Sequence, residues 1–312
     1  MLRVQPTIRR QHRNDAAHEI PRVLIDRFDQ TFALKHRAVV STDRDCIGAM
    51  NLASQRLCMA LTDFKRYLPQ ERIAHLEIKL RSIADALAKI RNQDLAIVAL
   101  EKVALQTRPE LSKTAKRLIE SRNQIRQSSS RTLKQLLLTL RPKALRKELF
   151  CSAIAESHDS TRHKIAPRLQ SIAGAIIRKH LTEFEAYANP LLNPFGAATL
   201  QELTTLTKHL AFAIEIFAEC SETDLQPFSR SLNAMDDALL EVAGCDSCIA
   251  HIHTEIVESI KASQPNATRS LAPFLAAVKQ QRKSHYEETY AIWNSWEKDQ
   301  LSKCVRRAIN TP

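Results

Sequence analysis

Residues 73–90, IAHLEIKLRSIADALAKI, set Ile73, Leu76, Leu80, Ile83, Leu87 and Ile90 three or four positions apart. At about 3.6 residues per turn this spacing draws one apolar stripe down a helix, whereas a half-buried strand would alternate with period two. The segment before it obeys the same rule. Ile47, Met50, Ser54, Leu57, Leu61, Phe64 and Leu68 form a seam that stops at Pro69, a residue suited to the first turn of a following helix. After a short turn expected at Asn92–Asp94, Ile97, Leu100 and Val103 continue as a third helix. Thr107–Glu110, with Pro109 and an acid in the first turn, then opens a fourth helix that runs to about Leu140 and ends before Pro142.

The same pattern recurs further along the chain. Leu203, Leu206, Leu210 and Phe217 repeat Met50, Ala53, Leu57 and Phe64 at an offset of 153, and Leu232, Met235, Leu239 and Val242 repeat Leu80, Ile83, Leu87 and Ile90 at 152. Asp246 and Ile249 follow Asp94 and Ile97, also at 152, and Leu271, Leu275, Val278 and Arg282 follow Leu111, Ala115, Leu118 and Arg122 at 160. Four helices in one order at a nearly constant offset predict a duplicated unit. Between the halves lies a connector with helical pieces. It contains Ala166-Pro167-Arg168-Leu169, a basic turn at Arg178-Lys179-His180, and a loop marked by Pro190 and Pro194. With only four glycines and twelve prolines in 312 residues, the chain lacks the turn residues of a strand-rich fold. The expectation is an all-α fold of two pseudo-symmetric four-helix bundles. Its units are a flexible basic arm at 1–20, a first repeat at 21–142, a helical connector at 143–195 and a second repeat at 196–312.

The formal net charge of +12 points to an anionic partner, whether nucleic acid, an anionic membrane surface or a polyphosphate. Most of the excess falls between Thr107 and Lys147, where twelve lysines and arginines face only Glu110 and Glu120. Aromatic residues make up 5% of the chain, which weakens any reading that needs bases stacked on rings. No stretch approaches the length of a membrane span, and the first twenty residues, though basic, lack the apolar core of a secretion signal. Seven widely spread cysteines, an odd number, read as reduced core thiols of a cytoplasmic protein.

Arg122 and its repeat partner Arg282 fall on apolar seams rather than on a solvent face, with Arg126 one turn beyond the first and His285 one turn beyond the second. A guanidinium keeps its proton and is costly to bury alone, so each must meet a carboxylate, water or a bound anion. If the two seams face each other, their cations build a central basic groove. The plainer alternative pairs each arginine with an internal acid such as Glu120 or Asp94, or lets it reach out at the seam's edge.

At this level the chain resembles the conserved histidine α-helical domain (CHAD) family, whose repeat opens with a helix of the type V-H-x-x-R-V-x-x-R-R-L-R and continues to a helix ending R-D-x-D-V. Here the first half reads Ile47-Gly48-Ala49-Met50-Asn51-Leu52-Ala53-Ser54-Gln55-Arg56-Leu57, then Leu80 through Ile90-Arg91-Asn92-Gln93-Asp94-Leu95. The second half reads Leu200-Gln201-Glu202-Leu203-Thr204 through Thr207-Lys208-His209-Leu210. Ala166-Pro167-Arg168-Leu169 and the ending with Trp293 and Trp296 are also similar to the family. The match runs from about residue 25 to 300. The signature histidines are replaced by Gly48 and Gln201 and the neighbouring arginines by Asn51 and Thr204, while Arg56, Arg91, Lys208 and His209 keep basic character. The resemblance implies two helical bundles around a basic cavity that binds inorganic polyphosphate, in some members at polyphosphate granules.

Other chemistry is poorly represented. Cys245-Asp-Ser-Cys248 has the spacing of a redox pair or half a zinc site, yet no second pair and no βαβ context accompany it. His251 and His253, two apart, point to different faces of a helix, and His158 and His163 flank a turn without a visible partner. Glycine-rich phosphate loops are absent. The function expected is therefore non-enzymatic binding of a polyanion, polyphosphate first, without cofactor or metal, with nucleic acid a lesser candidate. The residues expected to carry it are Arg56, Arg91, Arg122, Arg126, Arg178, Lys208, His209, Arg282 and His285. The alternative is an interaction protein of the same fold whose ligand site has decayed, binding a partner protein or granule surface.

Overall fold

The computed structural model describes residues 16–41, 43–106, 112–155, 168–187, 193, 196–220, 224–263 and 265–310. It is all-helical. In chain order the helices are α1 (Ala16–Ala33), α2 (Lys35–Val40), α3 (Arg44–Asp63), α4 (Gln70–Gln106), α5 (Ser112–Thr139), α6 (Pro142–Ala155), α7 (Leu169–Ala186), α8 (Ala197–Cys220), α9 (Gln226–Lys261), α10 (Pro265–Lys298) and α11 (Leu301–Ala308). A 3₁₀ turn, Lys65–Tyr67, leads from α3 toward α4. Residues 1–15 of the expected arm, Pro109 and the loop prolines 190 and 194 lie outside the described residues. Residues 16–20 open α1, with Ala16 and Ile20 buried.

Two local expectations are corrected. The turn expected at Asn92–Asp94 does not form, because α4 runs unbroken for 37 residues and α9 for 36. No proline or glycine interrupts 70–106, and Asn or Gln inside a helix costs only about 0.7 kcal/mol at most. Asp94 does not turn back to cap a helix there; its carboxylate accepts from Arg126 Nε at 2.5 Å. The basic turn expected at 178–180 is the middle of α7, since a seam of Leu169, Ile172, Ile177, Leu181 and Phe184 passes straight through it into the core.

The helices enclose two apolar cores. The larger draws on α1, α3, α6, α7, α8, the first halves of α4 and α9, and the ends of α5 and α10, where Trp293 and Trp296 pack on Phe184. The smaller joins Ala96–Val103 of α4, Ala115 and Leu118 of α5, Cys245–Ile252 of α9 and Leu271–Val278 of α10. The two long helices α4 and α9 meet at Gly244, where an added Cβ would stand 3.0 Å from the Leu95 carbonyl oxygen. Cys248 Sγ donates to the Ala96 carbonyl at 3.0 Å beside this crossing.

Candidate functional site

Most of the expected seam cations sit between the two cores rather than around an open space. Arg122, 7% exposed, donates from Nη1 to Gln93 Oε1 at 2.8 Å and from Nη2 to the Ser247 carbonyl. Burial lowers its pKa, and the nearby Cys248 thiol is the opposing influence. Arg126 bonds Asp94, and Arg282 donates to both oxygens of Asp246. The counterpart of Arg282 is thus Arg126 at an offset of 156, not Arg122 at 160, because each pairs with the aspartate that its own half supplies. His285 lies 3.7 Å from Glu241 and 3.6 Å from Glu288. Arg56 grips Glu215 with two bonds, 2.8 and 2.6 Å, over the Phe212 ring, tying α3 to α8. Arg178 is exposed on α7 and donates to Asn310 Oδ1 at 2.7 Å. Five of these are held by protein partners, His285 Nε2 has no hydrogen-bond partner, and none of the six lines the cleft described next. A buried guanidinium needs compensation, and acids or carbonyls lie within its reach.

A cleft does separate α3–α4 from α8–α9. It has three adjoining lobes of about 360, 420 and 380 Å³, and Gln55 and Lys208 line all three. Arg91, Lys208 and His209 are the expected site residues brought together here, joined by Arg44 and Arg81. Gly48, Asn51, Gln201 and Thr204, which stand where the signature histidines and arginines were expected, line it as well. Gly48 leaves room for Arg91, whose Nη1 lies 3.6 Å from where a Cβ would be.

The lining carries both signs of charge. Against the four cations Arg44, Arg81, Arg91 and Lys208 stand five acids, Asp45, Asp85, Asp236, Asp237 and Asp246, so the expected basic groove is a mixed one. Arg44 reaches out of it to hold Glu101 at 2.9 and 3.0 Å. Lys208 Nζ stands 3.7 Å from Asp236 Oδ1, too long for a hydrogen bond. Burial pushes the Asp236 carboxyl up to about 6, only partly offset by the Lys208 charge. Asn51 Oδ1, Gln55 Oε1 and Asp236 Oδ1 are buried acceptors without a hydrogen-bond partner. Of these aspartates only Asp246 carried a sequence signal, as the repeat partner of Asp94; Asp45, Asp85, Asp236 and Asp237 occupy ordinary polar positions beside apolar seams.

Behind the cleft, His180 is 2% exposed and both its ring nitrogens face carboxylates, Asp63 at 2.8 Å and Glu183 at 3.1 Å. Burial opposes the charged imidazole, but the Asp63 and Glu183 bonds and charges outweigh it and raise the pKa. His209, with its ring 5.4 Å from that of His180, is instead pushed down to about 4, first by burial and then by the His180 charge. Cys245 and Cys248 are fully buried, and burial lifts both thiols to about 12, so neither has the thiolate character that redox chemistry needs. Among the described residues no group of three or more His, Cys, Asp or Glu side chains is arranged to hold a metal ion. No helix among them is long and apolar enough to cross a membrane.

A family model described as CHAD domain matches residues 22–255. Among solved structures, the CHAD domain from the plant Ricinus communis superposes with a TM-score of 0.69 at 15% identity, over 89% of this chain and 92% of that one. PptA from Streptomyces chartreusis gives a TM-score of 0.60 at 15% identity, over 90% and 99%. No curated protein matches the chain.

Proposed function

This chain belongs to the CHAD domain family, and we propose that it is a non-enzymatic module that holds a phosphate-rich polyanion, inorganic polyphosphate first, in the cleft between α3–α4 and α8–α9. The observation that carries this reading is convergence: Arg91 and Lys208, at positions matched to the family's basic motif, reach one cleft from two helices in different halves of the chain, with Arg81 beside them. Lysine supplies a mobile point charge and arginine a planar fork for phosphate oxygens. Attachment to granules in a cytoplasmic setting belongs to the same proposal.

The acids make this binding conditional. Above pH 6 the Asp236 carboxylate occupies Lys208 and repels an incoming phosphate; below it the acid is neutral and Lys208 is released. Titration of the full chain with long-chain polyphosphate should therefore tighten roughly tenfold between about pH 7.5 and 5.5, the effect of one charge at contact. Asp236→Asn should bind at the higher pH as the parent does at the lower. Steep weakening with added salt is expected throughout. Absence of binding at low ionic strength and acidic pH would refute the reading, and pH-independent binding would refute the role of Asp236.

One observation favours a second reading, an interaction scaffold for a partner protein. Acids outnumber cations in the cleft, and Arg56, Arg126 and Arg282 are already held by carboxylates. Under that reading Lys208→Ala leaves polyphosphate retention unchanged.

A further inference from the structure

We propose that the outer face of α5 is a docking surface for double-helical nucleic acid, separate from the cleft. Lys113, Arg117, Glu120, Gln124, Gln127, Arg131 and Lys134 recur at three- and four-residue spacing, with Lys116 beside them, and all are exposed, so they share one solvent face of the helix. Glu120 is the one acid in α5. Arg117 lies 3.7 Å from Glu255, while Lys113, Lys116, Arg131 and Lys134 have no carboxylate partner among the described residues. This is the reverse of the cleft, where acids match the cations.

The 28 residues of α5 span about 42 Å at 1.5 Å per residue, the length of roughly twelve base pairs at 3.4 Å each. A convex ridge cannot wrap a thin, flexible chain, but it can lie along a wide, rigid rod of phosphates. Gln124, Gln127, Ser128 and Gln135 supply neutral hydrogen-bonding groups between the cations, the mixture that contacts a sugar–phosphate backbone without reading sequence. The helix holds no aromatic residue, so unpaired bases would find nothing to stack on, which favours a duplex over a single strand. Only Ile125 and Leu138 protrude as apolar side chains, too few and too scattered to insert into a lipid surface.

The test is fluorescence anisotropy of a labelled mixed-sequence duplex of roughly 20 base pairs, longer than the ridge, titrated with the full chain across a salt series. Lys113→Gln, Lys116→Gln, Arg131→Gln and Lys134→Gln combined should weaken binding at least about tenfold and flatten the log–log salt slope by about 3–4, near 0.9 per lost contact. The charge-keeping set Lys113→Arg, Lys116→Arg, Arg131→Lys and Lys134→Arg should bind as the parent does, which separates charge from folding; failure of that set despite a native melting profile would count against the proposal. The glutamine set should retain the pH-dependent polyphosphate binding of the cleft, so that either site can fail alone. No duplex binding by the parent at low salt, unchanged binding by the glutamine set, or capture of phosphatidylserine vesicles in place of the duplex would overturn the proposal.

Discussion

Asp94 is fully buried, and the guanidinium of Arg126 at 2.5 Å makes that position tenable. Arg126→Ala leaves the buried carboxylate with only the more distant Arg44 Nε, at 3.8 Å, and should lower unfolding free energy by up to about 3–5 kcal/mol in denaturant melts. Arg122 differs, because its partners are an amide and a carbonyl and its Nε has none. Arg122→Met, of similar volume, removes a buried charge but also the donor to two oxygens, so it should cost less than Arg126→Ala in the same melts. The histidines beside the cleft give a second residue-level prediction, read from melting temperature against pH. His180 has a raised pKa, so its contribution is complete below its ordinary value of 6.5 and is lost as pH climbs through the higher folded value. His209 has the opposite sign. The unfolded chain accepts its proton near 6.5 while the folded one refuses it until about 4, so stability falls as pH drops across that interval. His180→Gln should flatten the alkaline limb and His209→Asn the acid limb; an unchanged profile in either variant would show that the residue is not responsible.

At the scale of elements, the crossing of α4 and α9 rests on Gly244. A methyl group there meets backbone, with the Leu95 carbonyl oxygen at 3.0 Å and its carbon at 3.3 Å, and backbone cannot swing aside. Gly244→Ala should therefore cost about 1–3 kcal/mol, the usual price of overpacking. Gly48→Ala, which meets only the Arg91 side-chain tip, should be close to neutral by the same thermal melts. The helices themselves were legible from the 3-4 spacing of apolar residues, as α3 and α5 illustrate. What the spacing could not reveal was continuity: the same seam runs through residues 92–94 whether a turn intervenes or not. Burial of Asp94 against Arg126 decides the matter, and that contact joins residues 32 positions apart.

For the molecule as a whole, cationic charge divides between an interior layer, a mixed cleft and an outer ridge on α5. Sequence periodicity set Arg122 and Arg282 on apolar seams but could not tell an acid across the seam from a bound anion. The structure supplies Asp94 for Arg126, Asp246 for Arg282, and neutral oxygens for Arg122. By contrast, the matched motif positions Gly48, Asn51, Arg91, Gln201, Thr204 and Lys208 all arrive in one cleft, so its location was readable from resemblance. Its balance of charge was not.

The amino-acid order alone determined the helical class, the family resemblance and which faces turn inward, because these depend on spacing within a few turns of chain. Tertiary structure alone decided which cations remain available to a ligand. Compensation of a buried charge depends on groups dozens of residues away, and no local pattern records that distance.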